Sequence, residues 1–336
     1  MKAAVYNGKF INIKEVQEPK PTDSQALIRV RSAGICGTDL AIVKGYLTTP
    51  TPLILGHEFA GEVIEVGNNV DQSWIGMRVS SEINSNIDKT CFYCTRNIYT
   101  QCLSRKALGI DIDGAFAEYI AVESYLLHEF PQSISFNEAT FIEPLAAVFQ
   151  VFEMMPLDED DKVIAIFGLG KIGLLICQVA KLKGLEIIVV DGSDRKLTLA
   201  KKFGAKETIN RLKEKNIPEA IQDLTNGLGA DVVIDATGNP DALKDIVASC
   251  RTRGKLHIKS THGLATPINL TDIVVRELTL YSSRCGPFEK AIEGLESRNI
   301  KVKELISGTY PLEKIQEAFA SYEKSPDHIK IIIVME

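Results

Sequence analysis

The segment Gly168-Leu169-Gly170-Lys171-Ile172-Gly173 constrains this chain more than any other, because of what surrounds it. It follows directly on Val163-Ile164-Ala165-Ile166-Phe167, a continuous apolar run that reads as a buried strand. Beyond it, Ile172, Ile176, Val179 and Leu182 recur at helical spacing, so the glycines occupy a strand-to-helix turn. GxGxxG spacing alone is weak, but in this position each glycine has a physical role. Gly168 permits the tight turn, Gly170 lets backbone N–H groups approach a pyrophosphate, and Gly173 lets helix and strand pack closely. The helix start then presents the positive end of its dipole to the phosphate charge.

The next strand-like run ends Ile188-Val189-Val190-Asp191, eighteen residues beyond Gly173. A carboxylate there accepts hydrogen bonds from adenosine ribose hydroxyls and repels a 2′-phosphate. Gly168, Gly170, Lys171, Ile172, Gly173 and Asp191 are therefore expected to hold NAD. Arg195 and Lys196 follow closely and soften that preference, which leaves NADP open.

Strands and helices keep alternating: strand 186–190, a helix near 194–203, strand 231–236, a helix near 240–251, strand 255–259 and strand 278–282. This pattern predicts a parallel, doubly wound sheet of the Rossmann type. Thr237 and Gly238, closing the strand that ends Asp235-Ala236, are expected beside the cofactor, where Gly238 otherwise only ends the strand. Arg284, just past the last sheet strand, is a candidate for pairing with cofactor or substrate oxygens, or a residue of the domain junction.

The flanks read differently. Residues 1 to about 140 carry short β signals such as 26–31 and 61–67, punctuated by Gly and Pro. After Cys285 come a helix near 287–297, another near 312–323 and a terminal strand Ile329–Val334. At 336 residues and 45% hydrophobic, the chain is long enough for two cored domains. The expected division is 1–144 with 285–336 as one domain and 145–284 as the dinucleotide-binding domain.

A net charge of −6 with scattered Lys and Arg argues against nucleic-acid binding. No apolar run reaches the roughly 18 residues of a membrane span, and the start Met1-Lys2-Ala3-Ala4-Val5-Tyr6 lacks a signal-peptide pattern, so a cytoplasmic location is expected. Seven cysteines are too sparse for a disulfide scaffold, and three of them fall within Cys91–Cys102.

Three further elements are expected to meet: Cys36 within Gly34-Ile35-Cys36-Gly37-Thr38-Asp39, His57-Glu58 after Gly56, and Glu143-Pro144. Alone, Cys36 reads as a small buried hydrophobe, His57 as a structural group and Glu143 as a charge at a helix start. Together they supply the mixed sulfur, nitrogen and oxygen donors that a catalytic zinc takes. Such a zinc acts as a Lewis acid on a bound hydroxyl, so that hydride can leave.

The CGTD, GHE and EPLA motifs, with the glycine turn behind them, resemble the medium-chain zinc alcohol and polyol dehydrogenases over essentially the whole chain. That resemblance implies a GroES-like β domain joined to the Rossmann domain, with the active site in the cleft between them. It implies Cys36 and His57 as zinc ligands, Glu58 as a ligand that exchanges with water, and Glu143 as a further ligand. The glutamate at 143, where simple alcohol dehydrogenases often carry cysteine, points toward polyols. Thr38 matches the hydroxyl that receives the substrate proton, and Asp39 the carboxylate orienting the histidine. The relay histidine that many relatives carry five residues after the first cysteine is Ala41 here, so the proton route past Thr38 is left open. Gln150, seven residues after Glu143, is a candidate for the substrate cleft.

Cys91-x2-Cys94-x7-Cys102 resembles three-quarters of the structural-zinc lobe of the same family, with Asp88 at the position of the first cysteine. Asp88, Cys91, Cys94 and Cys102 are expected to hold a second zinc, the alternative being a lobe with three free thiols. Cys177 is expected in the core, and Cys250 has no assigned role. The expected activity is hydride transfer between an alcohol or polyol hydroxyl and NAD. The runner-up is an aldose dehydrogenase using NAD or NADP, to which the Gly34–Asp39 segment and Ala41 are also similar. A non-catalytic NAD-binding protein is the reading of a different class, and Cys36 with His57-Glu58 speaks against a zinc-free quinone reductase. Relatives are dimers or tetramers, often joined through the last Rossmann strand, here near Leu278–Ser282.

Overall fold

A computed structural model describes residues 1–335. The chain divides into two compact units, Met1–Glu143 with the chain from Phe288 on, and Pro144–Pro287.

In the first unit a seven-stranded sheet is built around Gln25–Gly34. Glu58–Val66 lies antiparallel on one side of it and Lys330–Val334 antiparallel on the other, with Tyr119–Glu123 pairing its N-terminal half. Arg78–Ser81 and Leu127–Glu129 extend the sheet beyond Glu58–Val66, and Ile306–Pro311 lies parallel beside Lys330–Val334. A three-stranded sheet of Ile11–Glu15, Lys2–Tyr6 and Leu53–Ile54 packs on the same core. Phe59, Phe116, Ile28, Leu55 and Ile331 fill that core, all almost wholly buried. Strands separated by Gly and Pro stack in this way because one face of each can then be apolar. The architecture is the GroES-like β domain that the sequence implied.

The second unit holds six strands, all parallel to their neighbours. Their order is Glu207–Asn210, Glu186–Asp191, Val163–Phe167, Ala230–Asp235, Cys250–Ile258, Thr279–Ser282. Numbered within the unit this is 3-2-1-4-5-6, the doubly wound arrangement whose order reverses beside the first strand. Ligands of such sheets bind at the C-terminal strand ends at that reversal, which is where Gly168 and Ala236 sit.

Two local expectations need correction. Helix Lys171–Leu182 is buried nearly all round, from Gly173 through Ala180, because it stands against the middle of the sheet; Leu182 is 51% exposed. The stripe ending at Leu182 was therefore too narrow at one end and too long at the other. The strand expected at 255–259 begins five residues earlier, at Cys250, with a register shift between Ala230 and Val232 on its partner.

Candidate metal centre and dinucleotide turn

Cys36 sits where strand Gln25–Gly34 gives way to helix Gly37–Val43, as the N-cap residue of that helix. Asp39, in the first turn and fully buried, accepts from Cys36 N at 2.8 Å through Oδ2 and from Gly56 N at 3.3 Å through Oδ1. One carboxylate thus ties together the two loops that carry Cys36 and His57. Its Oδ1 also lies 3.7 Å from His57 Nδ1, close enough to orient the ring. Glu58 opens strand Glu58–Val66 directly opposite Gly34 in register. Thr38 Oγ1 is 3.8 Å from Cys36 Sγ.

The outcome is a cluster in which ligand atoms of Cys36, His57 and Glu58 all lie within 4.8 Å of one another. His57 and Glu58 are 3% and 1% exposed. The electrostatics of the pocket are lopsided. Burial alone would depress the basicity of His57, but the Asp39, Cys36 and Glu58 anions outweigh it and push its pKa up to about 10. Burial raises the Asp39 carboxyl, opposed by the neighbouring imidazole and the Cys36 N–H. The donor chemistry of the three, a thiol, an imidazole and a carboxylate, fits zinc.

Glu143, expected as a further ligand, does not join that set. It lies in the first turn of helix Ile142–Met154, whereas the other three hang on the paired strands Gln25–Gly34 and Glu58–Val66. Sequence reasoning also missed a participant. Lys330, fully buried, donates from Nζ to Glu58 Oε2. The available signal was a lysine at the head of an otherwise apolar strand, Lys330-Ile-Ile-Ile-Val334.

The second cluster brings Asp88, Cys91, Cys94 and Cys102 to the same mutual closeness. Asp88 Oδ1 accepts from Thr90 N and Cys91 N at 2.8 and 2.9 Å, and Oδ2 from the Ser104 hydroxyl. The Cys91 and Thr90 N–H donors hold its carboxyl well below the usual range. Desolvation and the neighbouring Cys102 and Cys91 thiols push Cys94 up to about 12, while the Cys94 backbone N–H favours the Cys91 thiolate. Four donors close together, three of them thiols, suit a structural ion.

In the second unit Gly168 adopts φ +88°, and a Cβ there would lie 2.7 Å from Ala236 O and Thr237 Cα. The turn therefore abuts the Asp235–Thr237 segment, where Asp235 Oδ1 accepts from Thr237 N and Oγ1. A Cβ on Gly173 would overlap the Gly168 carbonyl oxygen, so that glycine is sterically required. Gly170 is the N-cap of Lys171–Leu182 and offers no side-chain cap, and Lys171 and Ile172 form the first turn. Asp191 Oδ2 accepts from Leu169 N at 2.7 Å and its Oδ1 from Ser193 N at 2.9 Å. Gly238 N donates to Ser260 Oγ, and the Arg284 carbonyl accepts from Lys259 Nζ at 3.0 Å. Cys177 is buried in the helix after the turn, and Cys250 lies in the sheet core.

Residues 22–132 match the alcohol dehydrogenase GroES-like domain and residues 172–297 the zinc-binding dehydrogenase domain. The chain is 33% identical over 330 residues to the sorbitol dehydrogenase of Halalkalibacterium halodurans, covering 96% of this chain and 94% of that protein. It belongs to the zinc-binding alcohol dehydrogenases. Galactitol-1-phosphate dehydrogenase from Escherichia coli superposes with a TM-score of 0.91 at 26% identity, over 99% of this chain and 100% of that one. A short chain alcohol dehydrogenase from Escherichia coli CFT073, solved with NADH, gives 0.91 at 28% identity over 99% of both.

Proposed function

We propose that the chain is a zinc-dependent dehydrogenase that moves a hydride between a polyol or related alcohol hydroxyl and NAD. The observation that carries the reading is the convergence of Cys36, His57 and Glu58 in a buried, anion-rich pocket backed by Asp39. The sorbitol and galactitol-1-phosphate enzymes among its relatives support the polyol class. In this reading residues 1–144 with 285–336 form the catalytic domain and 145–284 bind the cofactor.

Cys36, His57 and Glu58 would hold the zinc, which when bound supplies Lewis acidity that lowers the pKa of a substrate hydroxyl. Thr38 Oγ1, 3.8 Å from Cys36 Sγ, would receive the hydroxyl proton, and Ala41 in the relay position has no group to carry it onward. Asp39 fixes the His57 ring. The Gly168–Gly173 turn and the first turn of the helix at Lys171 and Ile172 seat the pyrophosphate, Asp191 takes the adenosine ribose, and Thr237, Gly238 and Arg284 line the cofactor. Glu143, in the first turn of helix Ile142–Met154, is the further ligand that this reading assigns. Asp88, Cys91, Cys94 and Cys102 hold a structural zinc whose ligands leave no position for substrate.

The oligomer is a homodimer or homotetramer joined through the edge strand Thr279–Ser282. Its Leu280 is 45% exposed and the nearby Val274 and Val275 of helix Leu270–Val275 are each 73% exposed, an apolar strip at an open sheet edge. A cytoplasmic site of action completes the proposal; among the described residues no helix is long and apolar enough to cross a membrane.

The test is a screen of sorbitol, threonine, simple alcohols and glucose with NAD and NADP, followed by reduced-cofactor absorbance with and without a chelator. Chelator-sensitive turnover of a polyol with NAD supports the reading. Turnover confined to glucose moves the assignment to an aldose dehydrogenase, and zinc binding without turnover on any substrate to a non-catalytic NAD-binding protein.

A further inference from the structure

Strands Ala230–Asp235, Cys250–Ile258 and Thr279–Ser282 end level with one another, since Asp235 pairs with Ile258 and Ile258 with Ser282. The middle strand runs on into Lys259-Ser260, and these two side chains reach to opposite neighbours. Ser260 Oγ accepts from Gly238 N at 2.8 Å, just past strand Ala230–Asp235. Lys259 Nζ donates to Ser283 O at 3.0 Å, Ser283 Oγ at 3.3 Å and Arg284 O at 3.0 Å, just past strand Thr279–Ser282. The Lys259 backbone N–H meanwhile donates to Asp235 O at 2.9 Å. The ammonium thus grips the carbonyls of two successive residues, and what it fixes is the path of the chain as it leaves the sheet. Lys255, near the middle of the same strand, is engaged differently: the Asp158 and Asp161 carboxylates accept from its Nζ at 2.8 and 2.6 Å. Beyond Arg284, a Cβ on Gly286 would overlap the Ala146 carbonyl oxygen, so the segment from Ser283 to Gly286 is pinned at both ends.

In a doubly wound sheet the two mononucleotide halves of a cofactor lie on either side of the order reversal, over the C-terminal strand ends. Asp191 marks the adenosine side, which leaves the ends of the three strands tied by Lys259 and Ser260 to the nicotinamide half. We propose that Lys259 is a positioning residue for the nicotinamide half of the cofactor: it holds the Ser283–Arg284 backbone, while Ser260 holds Gly238, and so keeps this rim in its receiving form. The inference rests on the reading of this unit as the NAD-binding one. A rim already in its binding form is ready for the ligand, whereas a loose one must be ordered on arrival, and that ordering weakens binding. The adenosine half, seated on the other side of the reversal, does not feel the difference.

The experiment compares zinc-loaded wild type, Lys259→Met, Lys259→Gln, Lys259→Arg and Asp191→Ala. NADH binding is followed by fluorescence, and binding of ADP-ribose, which lacks the nicotinamide ring, by calorimetry. Lys259→Met is expected to bind NADH about tenfold more weakly, the loss of a charged donor, and ADP-ribose within about twofold of wild type. Lys259→Arg, which keeps a cationic donor, stays within about threefold of wild type for NADH, and Lys259→Gln lies between the two. Should Lys259→Met fail to fold, the same ratio of NADH to ADP-ribose affinity is read from Lys259→Gln. Unchanged NADH affinity, or equal weakening of NADH and ADP-ribose, overturns the inference and leaves Lys259 a structural residue of the sheet. If Asp191→Ala binds both ligands as wild type does, the cofactor reading itself falls, a result distinct from failure of the lysine variants.

Discussion

Replacing Asp39 by Asn tests how the first unit assembles its metal position. The wild-type carboxylate is fully buried and makes three contacts: Cys36 N at 2.8 Å, Gly56 N at 3.3 Å, and His57 Nδ1 at 3.7 Å. An amide keeps one acceptor oxygen and turns its NH2 toward the other donor. One backbone N–H, of Cys36 or Gly56, is therefore left facing a donor in a buried place. A buried donor without a partner costs about 1–3 kcal/mol. The loss falls on the loops that carry two of the three ligands, and the His57 ring loses the anion that orients it. Removing such a supporting carboxylate typically costs about 10–100-fold in metal affinity. Asp39→Asn is thus expected to unfold about 1–3 kcal/mol more easily in urea and to release zinc to a chelator at about 10–100-fold lower chelator strength. Zinc affinity within twofold of wild type, in a variant whose fold is intact by circular dichroism, would refute the idea that Asp39 organises the site.

Three other outcomes follow from the same geometry. Gly173→Ala drives a methyl into the Gly168 carbonyl, and is expected to cost about 1–3 kcal/mol in stability while weakening NAD binding, measured by calorimetry. Cys94→Ser removes one donor from the second cluster, so metal analysis should find one zinc fewer and a lower melting temperature, with kcat on the best substrate retained. In the metal-free protein the His57 pKa is raised from 6.5 to about 10, so its contribution to stability is complete below pH 6.5 and is lost as pH rises through 10. Chemical denaturation of metal-free protein should show that decline, His57→Ala should remove it, and zinc affinity should rise across the same interval because metal displaces the proton.

The dinucleotide half of the molecule was legible because its signals are local. A buried strand, three glycines and a helix follow one another within about twenty residues, and alternating strands and helices imply a parallel, doubly wound sheet, while its 3-2-1-4-5-6 order came only from the fold. The convergence of Cys36 with His57 and Glu58 was legible from residue type, since a thiol and an imidazole-carboxylate pair in glycine-rich turns have little other use in combination. Lys330 was invisible for the opposite reason. Its partner lies 272 residues away, and the contact depends on the absent side chain of Gly34, which no spacing encodes. The burial of Lys171–Leu182 on all sides was likewise a tertiary fact: apolar spacing marks one face, and only the packed sheet shows that Leu174, Leu175 and Cys177 are covered too.

Strand Lys330–Val334 pairs with residues 32–34, next to the cysteine that opens the first helix. A nascent chain that has released only its first 329 residues has an unfilled slot beside that strand and no ammonium for Glu58. Assembly of the pocket must therefore wait for one of the longest sequence separations in the molecule, a connection that slows folding. Loading of the ion onto a finished pocket is thereby deferred until the second unit has already been synthesised.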